Sequence, residues 1–435
     1  MNTMQAIQTC LDYLDTHLTE PVTLPETAAM LGYSEGHFAA LFHQETGLSF
    51  MSYLRSRRLQ YAIFDISQGA NMLDVAVRYG FSTYAGFYRA FVRDYRMSPT
   101  RFLETAHPRR PERINLSETR PGLPFSHQEL DQLLQGYDLS LASRDIHPVI
   151  HETGIPSTDT YAIGDNLLLY VAPLPGPLMT HASLCTSLSV HGVRAAIPMP
   201  DRNGNTVSSL GQNWYLLVRQ PDGIPLSSSQ LFASAHLTAP AFHFGEAIGR
   251  LDQALCALND TDLEPLEDMD LVETVCHALD SLPPSLSLPL SASQYRTQFA
   301  PLCAHLTTQP IHRNMHPSCV LWTGNDYGFS DFRLSCLGVR LWDPLYAATG
   351  ILSEHFTDTE ACMTAWCRLL EDLLAGYDTL AALTQDERMA VPYVLYGIQC
   401  ICLAFFHGKD TYHQLFEINL RMTIRIAEAF HLSAS

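Results

Sequence analysis

With 435 residues and a hydrophobic fraction of 46%, the chain can bury more than one core, and about 100 to 200 residues per domain predicts two or three units, excluding a single small module. The net charge of −19 argues against nucleic-acid binding over the whole surface, and eleven cysteines, odd in number and without a CxxC pair, exclude a disulfide framework. The longest apolar stretch, Val394 to Phe406, is broken by Gln399 and falls short of the roughly 20 residues a spanning helix needs, so it predicts a buried helix.

In chain order, the N-terminal MNTMQAIQTCLDYLD has no basic region followed by an apolar run, and the expected location is the cytoplasm with free thiols. Ile7, Leu11, Leu14 and Leu18 fall at helical spacing. Thr23 and Glu26 predict a capping box with Pro25 in the first turn, so a helix begins near Leu24 and stops at Gly32. Ser34 then caps a helix whose inward face is Phe38, Leu41 and Phe42. A long helix from about Phe50 to Ile66 follows, and the same grammar recurs: Asp74, Val75 and Ala76, a stop at Gly80, a cap at Ser82, and an inward face of Phe87 and Phe91. Residues 1–113 contain eleven Arg, no Lys and eleven Asp plus Glu, so residues 114–435 carry the whole negative charge. Within the neutral part, Arg55 to Arg113 holds all eleven arginines against five acids, a basic segment on an acidic body.

Two helix-turn-helix units joined by a helix, in the stretches LPETAAMLGYSEGHFAALFHQETGLSF, YLRSRRLQYA and MLDVAVRYGFSTYAGFYRAFVRDYRMSPTRFL, resemble the AraC/XylS family of bacterial transcription regulators over residues 5 to 104. Arg96 departs from the family's usual glycine. The resemblance implies that one chain presents two recognition helices to successive major grooves, about one helical turn apart. It places base-facing positions at Gly36, Ala39 and Ala40 and at Tyr84, Ala85 and Arg89, with Glu35, His43 and Arg93 flanking the backbone. Glycine and alanine cannot make bidentate base contacts, so direct readout falls mainly to the second helix, with Arg89 facing guanine.

HPRRPERINLSETRPGLPFS, residues 107–126, has four prolines and no periodic apolar face and reads as a linker. Beyond it, Tyr161 to Ile163 and Leu167 to Val171 flank GDN in a hairpin pattern, and AIPMPDRNG and NWYLLVRQPDG predict two more strands. Phe244, Ile248, Leu251, Leu255 and Leu258 predict one helix and Val272 to Leu282 another.

That order, with IHRNMHPSCVLW, GFSDFRL and LWDPLYAATGIL, resembles the aminoglycoside and choline phosphotransferase family, which has a protein-kinase-like fold, over residues 140 to 430. Where the family loop reads His-Gly-Asp-x-His-Pro-x-Asn, this chain keeps His312, His316 and Pro317 but has Arg313 for glycine, Asn314 for the catalytic aspartate and Cys319 for the metal-binding asparagine. Asp331 is retained at the family's metal-binding aspartate. Phosphoryl transfer needs a carboxylate to orient the attacking hydroxyl and hard oxygen ligands for magnesium, which Asn314 and Cys319 do not supply. No Lys or Arg lies between Arg144 and Arg194, and no Asp or Glu between Asp165 and Asp201, so the lysine–carboxylate pair of a kinase small lobe cannot be built from the expected strands.

The sequence thus predicts a multidomain chain: an all-α double helix-turn-helix domain over 1–106, a linker over 107–126, and an α+β bilobal kinase-like domain over 127–435 whose small lobe gives way to the large lobe near residue 226. The expected function is transcription regulation with a phosphotransferase-like body that has lost phosphotransfer. The expected partners are double-stranded promoter or operator DNA, a small-molecule ligand in the cleft between lobes, and a second copy of the chain. No membrane, cofactor or metal is expected. The alternative is a bifunctional protein that also phosphorylates a small hydroxyl- or amine-bearing molecule, and a further reading takes His312, His316 and Cys319 as zinc ligands.

Overall fold

The apolar spacing and the glycine stops set the helices of the N-terminal region. A computed structural model of the chain describes residues 3–46, 49–95, 98–105, 110–111, 127–137, 146–150, 156–164, 166–211, 213–235, 238–258, 265–408 and 413–433. They form two compact units: Met1–Ser183 with Ile197–Gln220, and Leu184–Ala196 with Pro221–Ser435.

The first unit begins with α1 (Thr3–Thr16), α2 (Leu24–Met30), α3 (Glu35–Thr46), α4 (Phe50–Ser67), α5 (Met72–Arg78), α6 (Tyr84–Tyr95) and α7 (Pro99–Thr105). Ile7, Leu11, Leu14 and Leu18 are buried, as are Phe38, Phe42, Phe87 and Phe91. Phe42 stands edge-on to Phe50 and Tyr53, with ring centroids 5.4 Å apart in each pair, which locks α3 onto α4.

The two helix-turn-helix turns are copies of each other. Tyr33 N–H donates to the Ala28 carbonyl and Gly32 N–H to Ala29, while Phe81 N–H donates to Ala76 and Gly80 N–H to Val77. Each is a Schellman motif, and it needs a left-handed residue after the cap: Gly32 has φ +80° and Gly80 +81°. Two start signals differ in detail from expectation. The Thr23 hydroxyl accepts from Glu26 N–H at 3.4 Å, but the Glu26 carboxylate accepts from the Thr23 hydroxyl at 2.7 Å rather than from the Thr23 backbone N–H, so the capping box is not closed. The cap of α6 is Thr83, not Ser82: its hydroxyl accepts from Gly86 N–H at 3.0 Å, because the helix starts one residue later than expected.

The rest of this unit is a short helix, α8 (His127–Gln135), against a sheet. The strands are β1 (Ile146–Ile150), β2 (Pro156–Ile163), β3 (Leu167–Ala172), β5 (Ile197–Pro198), β6 (Val207–Leu210) and β7 (Asn213–Arg219). Their order is β1-β2-β3-β7-β5, with β6 paired to β7 and every partner antiparallel. The expected hairpin is β2–β3, in register Tyr161 to Leu169. All six residues of β3 are buried, which a central strand covered on both faces requires. Leu130, Leu133, Leu134 and Tyr137 pack on Tyr161, Leu169 and Leu217. The expected linker lies outside the described residues apart from 110–111.

The second unit is mainly helical. It includes α10 (Ser228–Ala233), α11 (Thr238–Cys256), α12 (Leu271–Ser281), α13 (Ala292–Cys303), α14 (Trp342–His355), α15 (Glu360–Leu380), α16 (Gln385–Phe406), α17 (His413–Ala429) and the short strands β4 (Arg194–Ala195) and β8 (Ile224–Pro225), while α9 (Gly176–Val190) contributes residues to both units. The inward residues expected for α11 and α12 are buried. The apolar stretch forms part of α16, whose Val394, Leu395, Ile398 and Leu403 are buried where it packs on α12 and α14. By length and composition α16 is long enough to cross a bilayer, and just over half of its most apolar window is covered by protein. Two short ladders carry the candidate loop: β9 (Thr308–Ile311) pairs with β12 (Cys336–Val339), and β10 (Val320–Trp322) with β11 (Tyr327–Phe329).

Candidate functional site

In the first unit, α3 and α6 each bury an aromatic stripe and turn the opposite face outward. On α3, Glu35, Gly36, Ala40 and His43 are exposed and Ala39 is half-buried. On α6, Tyr84, Ala85 and Arg89 are exposed, while the side chain of Arg93 and the whole of Arg96 lie outside the described residues. Sequence reasoning passed over Tyr88, one turn from Tyr84 on the same face, with ring centroids 6.2 Å apart. Its i, i+4 spacing from Tyr84 was the signal that would have found it.

The arginine excess is smaller at the surface than by count. Arg57, 2% exposed, makes paired bonds of 2.8 and 2.6 Å to Asp15, and Arg55 bonds Asp94 at 3.2 and 3.3 Å. Arg58 donates to the carbonyls of Leu18 and Glu20, at 2.8 and 2.5 Å, and its guanidinium lies against Gly80, where a Cβ would stand 2.9 Å from Nη1. These three arginines hold the helices together, which leaves Arg89 as an exposed cation on α6.

In the second unit, the loop after β9 is held by buried side chains on neighbouring elements. Asp343, fully buried at the start of α14, accepts from the backbone N–H of His312 and of Arg313, both at 2.7 Å. Burial pushes its carboxyl up to about 6, against the opposing pull of His312 and those two N–H groups. Trp342 Nε1 donates to the Arg313 carbonyl at 2.9 Å. Arg313 has φ +66°, so the residue standing where the family has glycine still adopts the left-handed backbone that glycine favours. His312 Nε2 is 2.8 Å from the Ser330 carbonyl, an acceptor only, so that nitrogen carries the proton. Beneath the loop, Asp252 of α11 receives the Tyr377 hydroxyl at 2.6 Å, and burial, then the Asp343 charge, pushes its carboxyl well up.

The groups at the reacting positions are differently placed. Asn314 Oδ1 accepts from the Tyr346 hydroxyl at 3.3 Å. Burial, then the Asp331 carboxylate, pushes the Cys319 thiol up to about 12, so it stays protonated and faces the Asn314 carbonyl at 3.6 Å. His316 Nδ1 accepts from Ser318 N–H at 3.3 Å, which leaves Nε2 as the donor to Glu354 at 2.9 Å. Asp331, left-handed at φ +61°, is gripped by Arg333 through bonds of 2.6 and 3.0 Å. Sequence reasoning missed both this grip and the Asp343 tether, although Arg333 sits two residues after Asp331 in GFSDFRL and Asp343 lies within LWDPLYAATGIL.

The magnesium a kinase-like fold would use needs several hard oxygen donors. Here one position is a protonated thiol and another a carboxylate tied to a guanidinium, so the donor set does not fit the ion. The zinc reading fails on geometry: among the described residues no group of three or more His, Cys, Asp or Glu side chains is placed to hold a metal.

Residues 27–105 match a helix-turn-helix domain family. The right origin-binding protein of Escherichia coli (strain K12) is 34% identical over 94 residues, 21% of this chain and 32% of that protein. An uncharacterized HTH-type transcriptional regulator of Staphylococcus aureus is 30% identical over 103 residues, 23% of this chain and 14% of that protein. The chain therefore spans a third or less of the length of these curated relatives. Among solved structures, a microcompartment-associated aminopropanol kinase aligns with a TM-score of 0.53 at 14% identity, over 70% of this chain and 98% of that one. The N-terminal region is an AraC-type helix-turn-helix domain, and an α+β kinase-like domain follows it.

Proposed function

We propose that this protein is a sequence-specific transcription regulator whose helix-turn-helix domain, residues 1–106, binds promoter DNA and whose kinase-like body, residues 127–435, works without phosphoryl transfer. In this reading Arg89 reads guanine, Tyr84 and Ala85 pack on neighbouring base edges, and His43 and Arg93 neutralise phosphates. Gly36, Ala39 and Ala40 let α3 approach the groove closely while adding little direct readout. The eleven free cysteines suit a reducing, cytoplasmic setting. A second copy of the chain would supply a second pair of recognition helices.

The observation that carries the non-catalytic part is the Arg333 grip on Asp331, beside an asparagine where a base would stand. A carboxylate so neutralised is a poor magnesium ligand, and Asn314 cannot accept a proton from a substrate hydroxyl. The test uses the full chain in two assays. Selection from random duplexes should return a defined operator, bound more weakly as salt rises. Incubation with magnesium-ATP or magnesium-GTP and a panel of amino alcohols and aminoglycosides should give no phosphorylated product. A phosphorylated product would establish the bifunctional alternative, and failure to enrich any duplex would remove the regulator.

A further inference from the structure

Within the first unit, a cavity of about 160 Å³ opens between the helix-turn-helix helices and the β6–β7 hairpin. Its apolar walls include Ile63 of α4, Tyr95 at the end of α6, Phe102 of α7 and Leu133 of α8. Three buried polar atoms on its lining lack hydrogen-bond partners: the Tyr137 hydroxyl, and the donor–acceptor pair of Trp214 Nε1, on a side chain 6% exposed, and Asn205 Oδ1. A buried donor or acceptor left unmade is costly, so such a pair on one cavity points to an occupant.

The chemistry of the walls narrows that occupant. Trp214 offers only a donor. The Asn205 amide is oriented by its neighbour, because Nδ2 faces Asp201 Oδ2 at 3.5 Å, which leaves Oδ1 as an acceptor. The Asp201 carboxylate also accepts from the N–H groups of Asn203 and Asn205 and from the Ser208 hydroxyl, so its charge is already served and gives no call for a cation. The volume is close to that of an engineered cavity of about 150 Å³ that takes up benzene.

We infer that this cavity is an effector site for a planar, single-ring molecule carrying a carbonyl acceptor for Trp214 Nε1 and an adjacent N–H donor for Asn205 Oδ1. Its role as an effector site rests on the regulator reading. Coupling follows from the walls: α4 joins the two helix-turn-helix units and Tyr95 ends the second recognition helix, so an occupant touches the elements that position both. Its effect on DNA affinity is limited to its difference in affinity between the arrangements it selects.

The test uses the full chain with benzamide, which has the required pair, and benzene, which has the ring alone. Ligand-observed NMR should give saturable benzamide binding, and Trp214→Phe, which keeps a ring against Tyr95, should weaken it roughly tenfold while leaving benzene unchanged. Ile63→Trp, which fills the cavity, should abolish both. Benzamide should also shift the affinity for the selected operator in the wild type and not in Trp214→Phe. Equal benzamide binding in the wild type and Trp214→Phe overturns the site, as does no saturable binding at about 10 mM. Binding without an operator shift overturns the effector role. Benzamide binding by a chain that enriches no operator defeats the regulator reading and leaves the cavity's ligand class standing.

Discussion

The helices around residues 24–95 and the loop around residues 312–331 are both fixed by local backbone geometry and buried contacts, yet they present different things. In the first, the repeated turns at Gly32 and Gly80 keep the geometry while the outward faces of α3 and α6 remain open to a partner. In the second, buried groups hold the backbone: Asp343 accepts from two backbone N–H groups, His312 meets Ser330, and Arg313 takes the left-handed conformation that glycine favours. The residues that shape a reactive loop are not those that react. The fold of such a loop therefore depends on buried hydrogen bonds rather than on the groups at its reacting positions.

The sharpest way to break this comparison is to remove the tether. Asp343→Ala leaves two N–H groups without their acceptor and should cost about 3 kcal/mol or more in urea unfolding, whereas Asn314→Ala should cost less than about 1. Comparable losses would place the loop's stability in its reacting positions instead. A pH series sharpens the same point. With a folded-state pKa of about 6 against an ordinary aspartate near 4, Asp343 binds its proton more tightly when folded. Its contribution is therefore fully present below about pH 4 and lost as pH rises through about 6, on the order of 2 to 3 kcal/mol relative to Asp343→Asn. A flat difference between the two proteins over that window would remove the shift.

On the other side of the comparison, Arg89→Ala should cost about 1 to 3 kcal/mol of operator binding and relax preference at one base pair, read by repeating the duplex selection. An unchanged profile would take Arg89 out of the interface. Arg313→Gly should stabilise the second unit by about 1 kcal/mol by relieving the left-handed backbone. Smaller still, Thr83→Ala should lower stability by about 1 kcal/mol, and Ser82→Ala by less than about 0.5, in the same thermal melt.

Local signals were legible and long-range ones were not. Spacing and glycine stops located the helices, because each depends on residues within a turn or two of each other, and the alternation around Gly164 located the β2–β3 hairpin. The cap of α6 was missed by one position, since Ser82 and Thr83 are both good caps and only the helix phase chooses between them. The charge count saw eleven arginines but not their partners: Arg57 and Asp15 are 42 residues apart, and Arg55 and Asp94 are 39. The substitutions at Asn314 and Cys319 were readable letter by letter, whereas Asp343, about thirty residues beyond the backbone it holds, gave no local sign of its partners.

Arg58 has a mechanical consequence. It ties the carbonyls of Leu18 and Glu20, beside the first helical pair, to the turn at Gly80 in the second. In the proposed regulator, two reading helices riveted in this way act as a caliper with a set jaw. Any mismatch between the jaw and the helical repeat of a duplex falls on the softer body, the DNA, as bending or twisting. The energy of that distortion depends on base steps the protein never touches, so part of a caliper's preference is written in the stiffness of the intervening sequence.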